Sequence, residues 1–201
     1  MMKKLFITGF DQSSSWMYDW FMENFLKHSK LPIHVYDFDK FQAPINDQRN
    51  WFKKPFAMLN AATKAEKVCW IDIDCHVKAS PDKIFNFTSK NQLTMAEDRP
   101  WTTRRGQKWH NSGVVAFQGE PRILQEWAFK ITLNETETGD QEVLHSMMTD
   151  DLKRLTYITD LPREYNTLRI DLLDSTAPKD IKIMHWTGGK GKEVIRGMIN
   201  G

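Results

Sequence analysis

Val68-Cys69-Trp70-Ile71-Asp72-Ile73-Asp74-Cys75-His76 is the stretch on which the reading of this chain turns. An unbroken apolar run, rich in β-branched and aromatic residues, reads as a strand covered on both faces, because a strand with one wet face would alternate. The run passes directly into Asp72 and Asp74, two carboxylates at i and i+2. Were the strand to continue, they would share one side about 6.6–7 Å apart at about 3.3 Å per residue, and a turn would bring them closer. Neighbouring carboxylates with no basic partner repel, and a divalent cation relieves that cost. Oxygen donors favour Mg²⁺ or Mn²⁺ over zinc. The plain alternative is an Asp-rich turn that caps the next element; the place of the pair at the end of a strongly apolar strand favours the site.

Upstream, Leu5–Phe10 reads as a strand with a polar exit at Asp11. Trp16–His28 has helical apolar spacing, with Ser13–Ser15 available as caps. Ile33–Phe38 is a second strand, and Asn50–Ala62 suits a helix with Pro55 near its first turn. Downstream, Pro81–Phe87, Pro121–Leu133 and Gln141–Met148 read as helices, and Gln92–Ala96, Gly113–Phe117, Leu155–Ile158 and Ile181–His185 as strands. Strands alternating with helices predict an α/β domain over residues 1–201, its mostly parallel, Rossmann-like sheet flanked by helices. In open sheets of this kind ligands sit beyond the carboxyl ends of the strands. Those ends carry Asp11, Asp72, Asp74 and His185.

Three further segments carry polar chemistry. Asn111-Ser112-Gly113 opens an apolar strand, and Gly113 permits close backbone approach. Gly139-Asp140-Gln141 reads as a helix start with Asp140 as N-cap, or as a site in which Asp140 accepts a substrate hydroxyl and Gln141 presents its amide to the reacting centre. His185-Trp186-Thr187-Gly188-Gly189-Lys190 delivers a histidine and then a glycine-rich turn bearing lysine, with exposed N–H groups and a cation suited to a diphosphate. It lacks the spacing of a P-loop.

Composition bounds the rest. The chain has 201 residues, enough for one core without staples. Its 28 Lys and Arg against 26 Asp and Glu leave a net charge of +2, which argues against a polybasic or histone-like partner. Two cysteines make neither a disulfide framework nor a four-thiolate zinc site, and a reducing compartment fits. The apolar run at the N-terminus, broken by Gly9 and Asp11, is too short for a membrane span, so a cytoplasmic location is expected. Aromatic residues reach 12% although the mean hydropathy is −0.56. Most belong to a core; others are free to stack on sugars or bases.

Taken together, Val68–Asp74, Asn111-Ser112-Gly113, Gly139-Asp140-Gln141, Leu161-Pro162-Arg163-Glu164-Tyr165-Asn166 and His185-Trp186-x-Gly with Lys190 resemble the GT-A fold glycosyltransferases, chiefly the retaining, metal-dependent group of glycogenin and bacterial galactosyltransferases. The resemblance runs from Leu5 to about Lys192, and the order of the short motifs is its specific part. It implies transfer of a sugar from a nucleoside-diphosphate sugar, with a lean to UDP, onto a glycan, protein or nucleic-acid acceptor. By it, Asp72, Asp74 and His185 would hold Mn²⁺ or Mg²⁺, and a ligating His185 must be neutral, so activity falls at acid pH. Thr8 and Asp11, with help from Lys54, would hold the nucleoside. Gly188, Gly189 and Lys190 would bind the diphosphate; Asn111, Asp140 and Gln141 would face donor sugar and acceptor. The cationic, tryptophan-bearing stretch Asp98–Trp109 is the candidate acceptor loop, with a mobile solvated loop as the alternative.

Three other activities share parts of this pattern. A glycoside hydrolase also pairs carboxylates but needs neither His185 nor the Lys-Gly turn. A sugar-1-phosphate nucleotidyltransferase opens with a basic glycine-rich loop, whereas Thr8-Gly9-Phe10-Asp11-Gln12 has no cation. A non-catalytic glycan-binding GT-A domain would not need Asp72, Asp74 and His185 together.

Overall fold

The structure is a computed structural model and describes residues 1–45, 49–148 and 150–201. Strand β1 (Met2–Phe10) leads through helix α1 (Tyr18–His28) to β2 (Ile33–Asp37), then through α2 (Lys54–Ala62) to β3 (Ala65–Ile71). β4 (Cys75–Val77) precedes a 3₁₀ turn at Asp82–Asn86, β5 (Leu93–Glu97), α3 (Arg99–Arg105) and β6 (His110–Gln118). There follow α4 (Arg122–Thr132), α5 (Asp140–Ser146), α6 (Asp151–Tyr157), β7 (Ile158–Asp160), β8 (Thr167–Leu168), α7 (Arg169–Leu173), β9 (Ile183–His185) and α8 (Gly188–Asn200).

The main sheet has the order β2-β1-β3-β6-β5-β7. β1 pairs in parallel with both β2 and β3, and β5 with β7, while β6 runs antiparallel to β3 and β5. The mostly parallel sheet expected from the sequence is therefore present, with β6 as the reversed strand. Both faces are covered. Leu5, Ile7, Val68, Trp70, Val115 and Phe117 face one core, and Phe6, Cys69, Ile71, Val114 and Ala116 face the other. This is why the strands read as unbroken apolar runs. Successive strands leave β1 in opposite directions, β2 to one side and β3 to the other, so a crevice opens beyond their carboxyl ends.

A smaller sheet, β4-β9-β8, stands beside this crevice, and its β4–β9 ladder sets Cys75 directly opposite His185. β4 and β8 are too short to show a period in the sequence.

Four local expectations are corrected. Leu155–Ile158 is not a strand: Asp150 accepts the Lys153 amide at 2.8 Å and starts α6, which ends at Tyr157 before β7 begins. Leu152 and Leu155 face outward on that helix, so the apolar run did not mark burial. Asp98–Trp109 is not a loop, because the Asp98 side chain caps α3 at the Trp101 amide and Gly106 ends it at φ +66°. Gly188 to Lys192 is the first turn and a half of α8 rather than a flexible turn. Ser13 and Ser14 do not cap α1; their hydroxyls donate to Asp11 Oδ1, each at 2.7 Å.

Candidate active site

The turn after β3 closes with the Cys75 amide donating to the Asp72 carbonyl at 3.0 Å. It swings both carboxylates toward His185 at the end of β9. Nε2 of His185 lies 3.2 Å from Asp74 Oδ1 and 3.9 Å from Asp72 Oδ2. The ring rests on Gly113: a Cβ there would stand 2.1 Å from His185 Cε1, so only glycine fits between them. The Gly113 carbonyl also accepts the Asp72 amide at 2.7 Å, tying the Asn111-Ser112-Gly113 entry to the carboxylate turn.

The orientation of His185 is fixed from behind. Buried Asp98 Oδ2 accepts the side-chain N–H groups of Asn111 at 3.0 Å and Gln141 at 3.1 Å. That leaves Asn111 Oδ1 as an acceptor for the Gly113 amide, the Asn166 side-chain amide and His185 Nδ1, the last at 3.1 Å. Asn166 Oδ1 lies 3.2 Å from the same ring nitrogen. Nδ1 therefore carries its hydrogen, and Nε2 is the nitrogen presented to the carboxylates.

Burial disfavours the imidazolium, but Asp74 and then Asp72 outweigh it and move His185 above the ordinary histidine range. Asp74 answers in the opposite sense: burial pushes its pKa up, while His185, Lys192 and Lys54 hold it below the usual carboxylate range.

The expected absence of a basic neighbour does not hold for Asp72. Lys54, 4% exposed, lies 3.0 Å from Asp72 Oδ1 and 3.1 Å from Asp140 Oδ2, and donates to the Ser112 carbonyl at 3.2 Å. The Trp70 indole N–H donates to Asp72 Oδ1 at 2.6 Å. Burial opposes the Lys54 charge, yet Asp140 and Asp72 together raise its pKa. Burial still raises Asp72, with Lys54 pulling it back. Lys54, expected to help hold the nucleoside, is thus a buried counter-ion of two carboxylates at the border of the smaller cavity.

Two cavities meet at this cluster. One, of about 210 Å³, is bordered by Asp11, Asn50, Trp51, Trp70, Asp74 and Lys192. The other, of about 380 Å³, is bordered by Trp101, Asn111, Gln141, Glu142, Ile170 and His185. Asp72 and Asp140 face both.

Asn111, Asp140, Gln141, Asp72, Asp74, His185 and Asp11 are thus brought together as expected, with some roles changed. Asp140 is the first residue of α5 rather than its cap, and its Oδ2 is paired with the Lys54 ammonium. Gln141 spends its oxygen on the Ser112 amide at 3.0 Å. Thr8 is fully buried and reaches neither cavity, so the β1 contribution begins at Gly9. Lys190 is exposed and borders neither cavity, and Gly188 and Gly189 likewise stand outside both. Lys192, two residues on, takes the place expected of Lys190, because helical spacing turns it inward.

Sequence reasoning missed Asp98, Trp51 and Lys192. Asp98, read only as the start of the acceptor stretch, caps α3 with one oxygen and turns the other to the two amides. Trp51, 46% exposed, is pinned at the cavity rim by its indole N–H donating to the Thr138 carbonyl at 3.2 Å.

As to what the residues can hold, two carboxylates and an imidazole nitrogen turned toward them form a donor set suited to a divalent cation. No helix of the described residues is long and apolar enough to cross a membrane.

No protein-family model and no curated protein sequence matches the chain. Solved structures do. A glycosyltransferase involved in glycosylation of the major capsid of PBCV-1 superposes with a TM-score of 0.68 at 15% identity, over 99% of this chain and 100% of that one. The galactosyltransferase LgtC, solved with donor and acceptor sugar analogues, gives 0.61 at 12% identity over 96% and 95%. The apo-form glycosyltransferase GlyE of Streptococcus pneumoniae TIGR4 gives 0.62 at 18% identity, over 94% of this chain and 55% of that one, so this chain spans about half the length of GlyE. The chain therefore has the GT-A fold, the architecture of these glycosyltransferases.

Proposed function

We propose that this protein is a metal-dependent glycosyltransferase that moves a sugar from a nucleoside-diphosphate sugar, UDP-linked by preference, to an acceptor hydroxyl. The observation that carries the reading is the convergence of Asp72, Asp74 and an oriented His185 where two cavities meet, at the switch point of the sheet. In this reading the smaller cavity takes the nucleotide and the larger takes the donor sugar and acceptor. A divalent cation held by Asp74, His185 and Asp72 would supply electrostatic stabilisation of the departing diphosphate.

The chain's own residues do the rest. Lys192 sets a positive charge beside the diphosphate. Asp11 has its carboxylate fixed by Ser13, Ser14 and Asn50 at the nucleoside end of the cavity, which holds it below the usual carboxylate range despite burial. Asp140, which borders both cavities and pairs with Lys54 at 3.1 Å, accepts a sugar or acceptor hydroxyl. The anomeric bond to the diphosphate breaks, the bond to the acceptor oxygen forms, and the acceptor's proton leaves on the departing diphosphate. Retention of configuration is the outcome that the sequence resemblance supports.

The test is a thermal-shift and calorimetric panel of nucleoside diphosphates with and without Mn²⁺, on the native protein and on Asp74→Ala. Mn²⁺-dependent stabilisation by one nucleotide, lost in Asp74→Ala, is expected. A panel in which no nucleotide binds in the presence of metal would overturn the proposal.

A further inference from the structure

Asp74, Cys75 and His185 offer a carboxylate oxygen, a thiol sulfur and an imidazole nitrogen that all lie within 4.8 Å of one another. The β4–β9 register makes this no accident of loop conformation. Cys75 and His185 are directly opposed in the antiparallel ladder, where facing side chains stand on one face at close range. Asp74 is anchored to the same ladder, since its carbonyl accepts the Trp186 amide at 3.1 Å.

The donors also differ in how free they are. Asp72 is engaged by Lys54 and by the Trp70 indole, whereas Cys75 is a free thiol that packs against the apolar core and Asp74 has His185 as its near neighbour. We infer that Asp74, Cys75 and His185 form a binding site for a soft divalent cation of the zinc group, overlapping the hard-cation site but selecting a different ion.

The chemistry separates the two classes. Mn²⁺ and Mg²⁺ prefer carboxylate oxygen, while Zn²⁺ and Cd²⁺ gain most from thiolate. Zinc–sulfur and zinc–nitrogen bonds of about 2.3 and 2.0 Å set tetrahedral donors about 3.5 Å apart. Asp74 and His185 already stand 3.2 Å apart, and the whole group lies within 4.8 Å, so only a small closure of Cys75 is needed. On binding, the S–H bond of Cys75 breaks, a metal–sulfur bond forms and one proton passes to solvent, with no change of oxidation state. Asp74 and His185 cannot serve both ions at once. A soft cation therefore excludes the hard one. Binding itself is independent of the transferase reading; only its consequence, inhibition, rests on it.

The experiment titrates Cd²⁺ into the native protein, Cys69→Ser and Cys75→Ser, kept reduced with a phosphine. The ultraviolet thiolate-to-cadmium band is recorded, and protons released are counted with Cd²⁺, Zn²⁺ and Mn²⁺. A band saturating at one equivalent in the native protein and Cys69→Ser, and lost in Cys75→Ser, is expected. Cd²⁺ and Zn²⁺ should each release one proton more than Mn²⁺. Absence of the band from the native protein, or its survival in Cys75→Ser, overturns the inference. If circular dichroism shows Cys75→Ser unfolded, proton release on the native protein decides, and equal release with all three ions overturns it. A Cd²⁺ band in a protein that binds no Mn²⁺ supports this site and counts against the proposed hard-metal reaction, so the two failures are distinguishable.

Discussion

Asp98 is buried at 3% exposure, and its carboxylate sets the direction of two amides and, through Asn111, of His185. Groups behind a metal ligand typically change affinity by about 10- to 100-fold when lost. Asp98→Asn should therefore weaken Mn²⁺ binding by about tenfold or more while the protein stays folded, and Asp98→Glu should recover part of it. Electron resonance of free Mn²⁺ measures both; unchanged affinity in Asp98→Asn would refute the relay. Lys54 makes a different prediction. Removing one partner of a buried ion pair costs about 3–5 kcal/mol, because a charge is left without compensation. Lys54→Met leaves Asp72 and Asp140 in that state, and urea unfolding should show a loss of this size. Adding Asp72→Asn should return much of it; additive losses would show that the pair is not coupled.

At the scale of elements, α8 is held to Trp186, the residue that follows β9, by a contact with no slack. A Cβ on Gly191 would stand 2.0 Å from the Trp186 carbonyl oxygen, which is backbone and cannot turn aside. Gly191→Ala must push the first turn of α8 outward, at about 1–3 kcal/mol for overpacking. Lys192 moves with that turn. The variant should lose nucleoside-diphosphate affinity as well as thermal stability, whereas Gly189→Ala, where a Cβ meets open space, should lose neither. Equal effects in the two variants would remove α8 from the account of the smaller cavity. The same element shows why sequence reading stopped short here. Gly188, Gly189 and Gly191 argue against a helix by propensity, and packing against Trp186 overrides that preference.

For the molecule as a whole, one contribution to the pH dependence of stability comes from a ring stack in which Trp109 and His145 are buried. Trp101 stacks on Trp109 at 5.1 Å, Trp109 on His145 at 4.2 Å, and His145 Nε2 accepts the His110 backbone amide at 3.0 Å. Burial is the main cause that lowers the pKa of His145, to about 3. The unfolded chain takes up a proton below its ordinary 6.5, and the folded protein does not until about 3. Stability from this group is thus complete above pH 6.5 and falls as the pH drops toward 3, by up to about 1.4 kcal/mol per pH unit. Unfolding of the native protein at pH 7.5 and 4.5 should show a larger loss than in His145→Gln. A variant as acid-sensitive as the native protein would place the titration elsewhere. Ligand linkage acts on the same global equilibrium, and a nucleotide at 100 times its Kd should stabilise by about 2.7 kcal/mol.

The order of strands and helices, the two-sided burial of β1, β3 and β6, and the place of Asp72, Asp74 and His185 at strand ends were legible in the sequence, because each rests on local periodicity and on which residues follow an apolar run. Asn111, Asp140 and Gln141 were legible as polar residues at element starts. Their partners were not. Lys54 stands 18 residues from Asp72, Asp98 stands 43 from Gln141, and Cys75 meets His185 across a ladder of three residues. No pattern along the chain encodes such pairings. They arise when α2, α5 and the β4-β9-β8 sheet pack at the ends of the main-sheet strands, where the low dielectric makes a buried polar group take a partner. The sequence determined which chemistry was present, and the tertiary structure decided which atoms face one another: Asp72 given to Lys54, His185 turned to Asp74, Lys192 rather than Lys190 at the cavity.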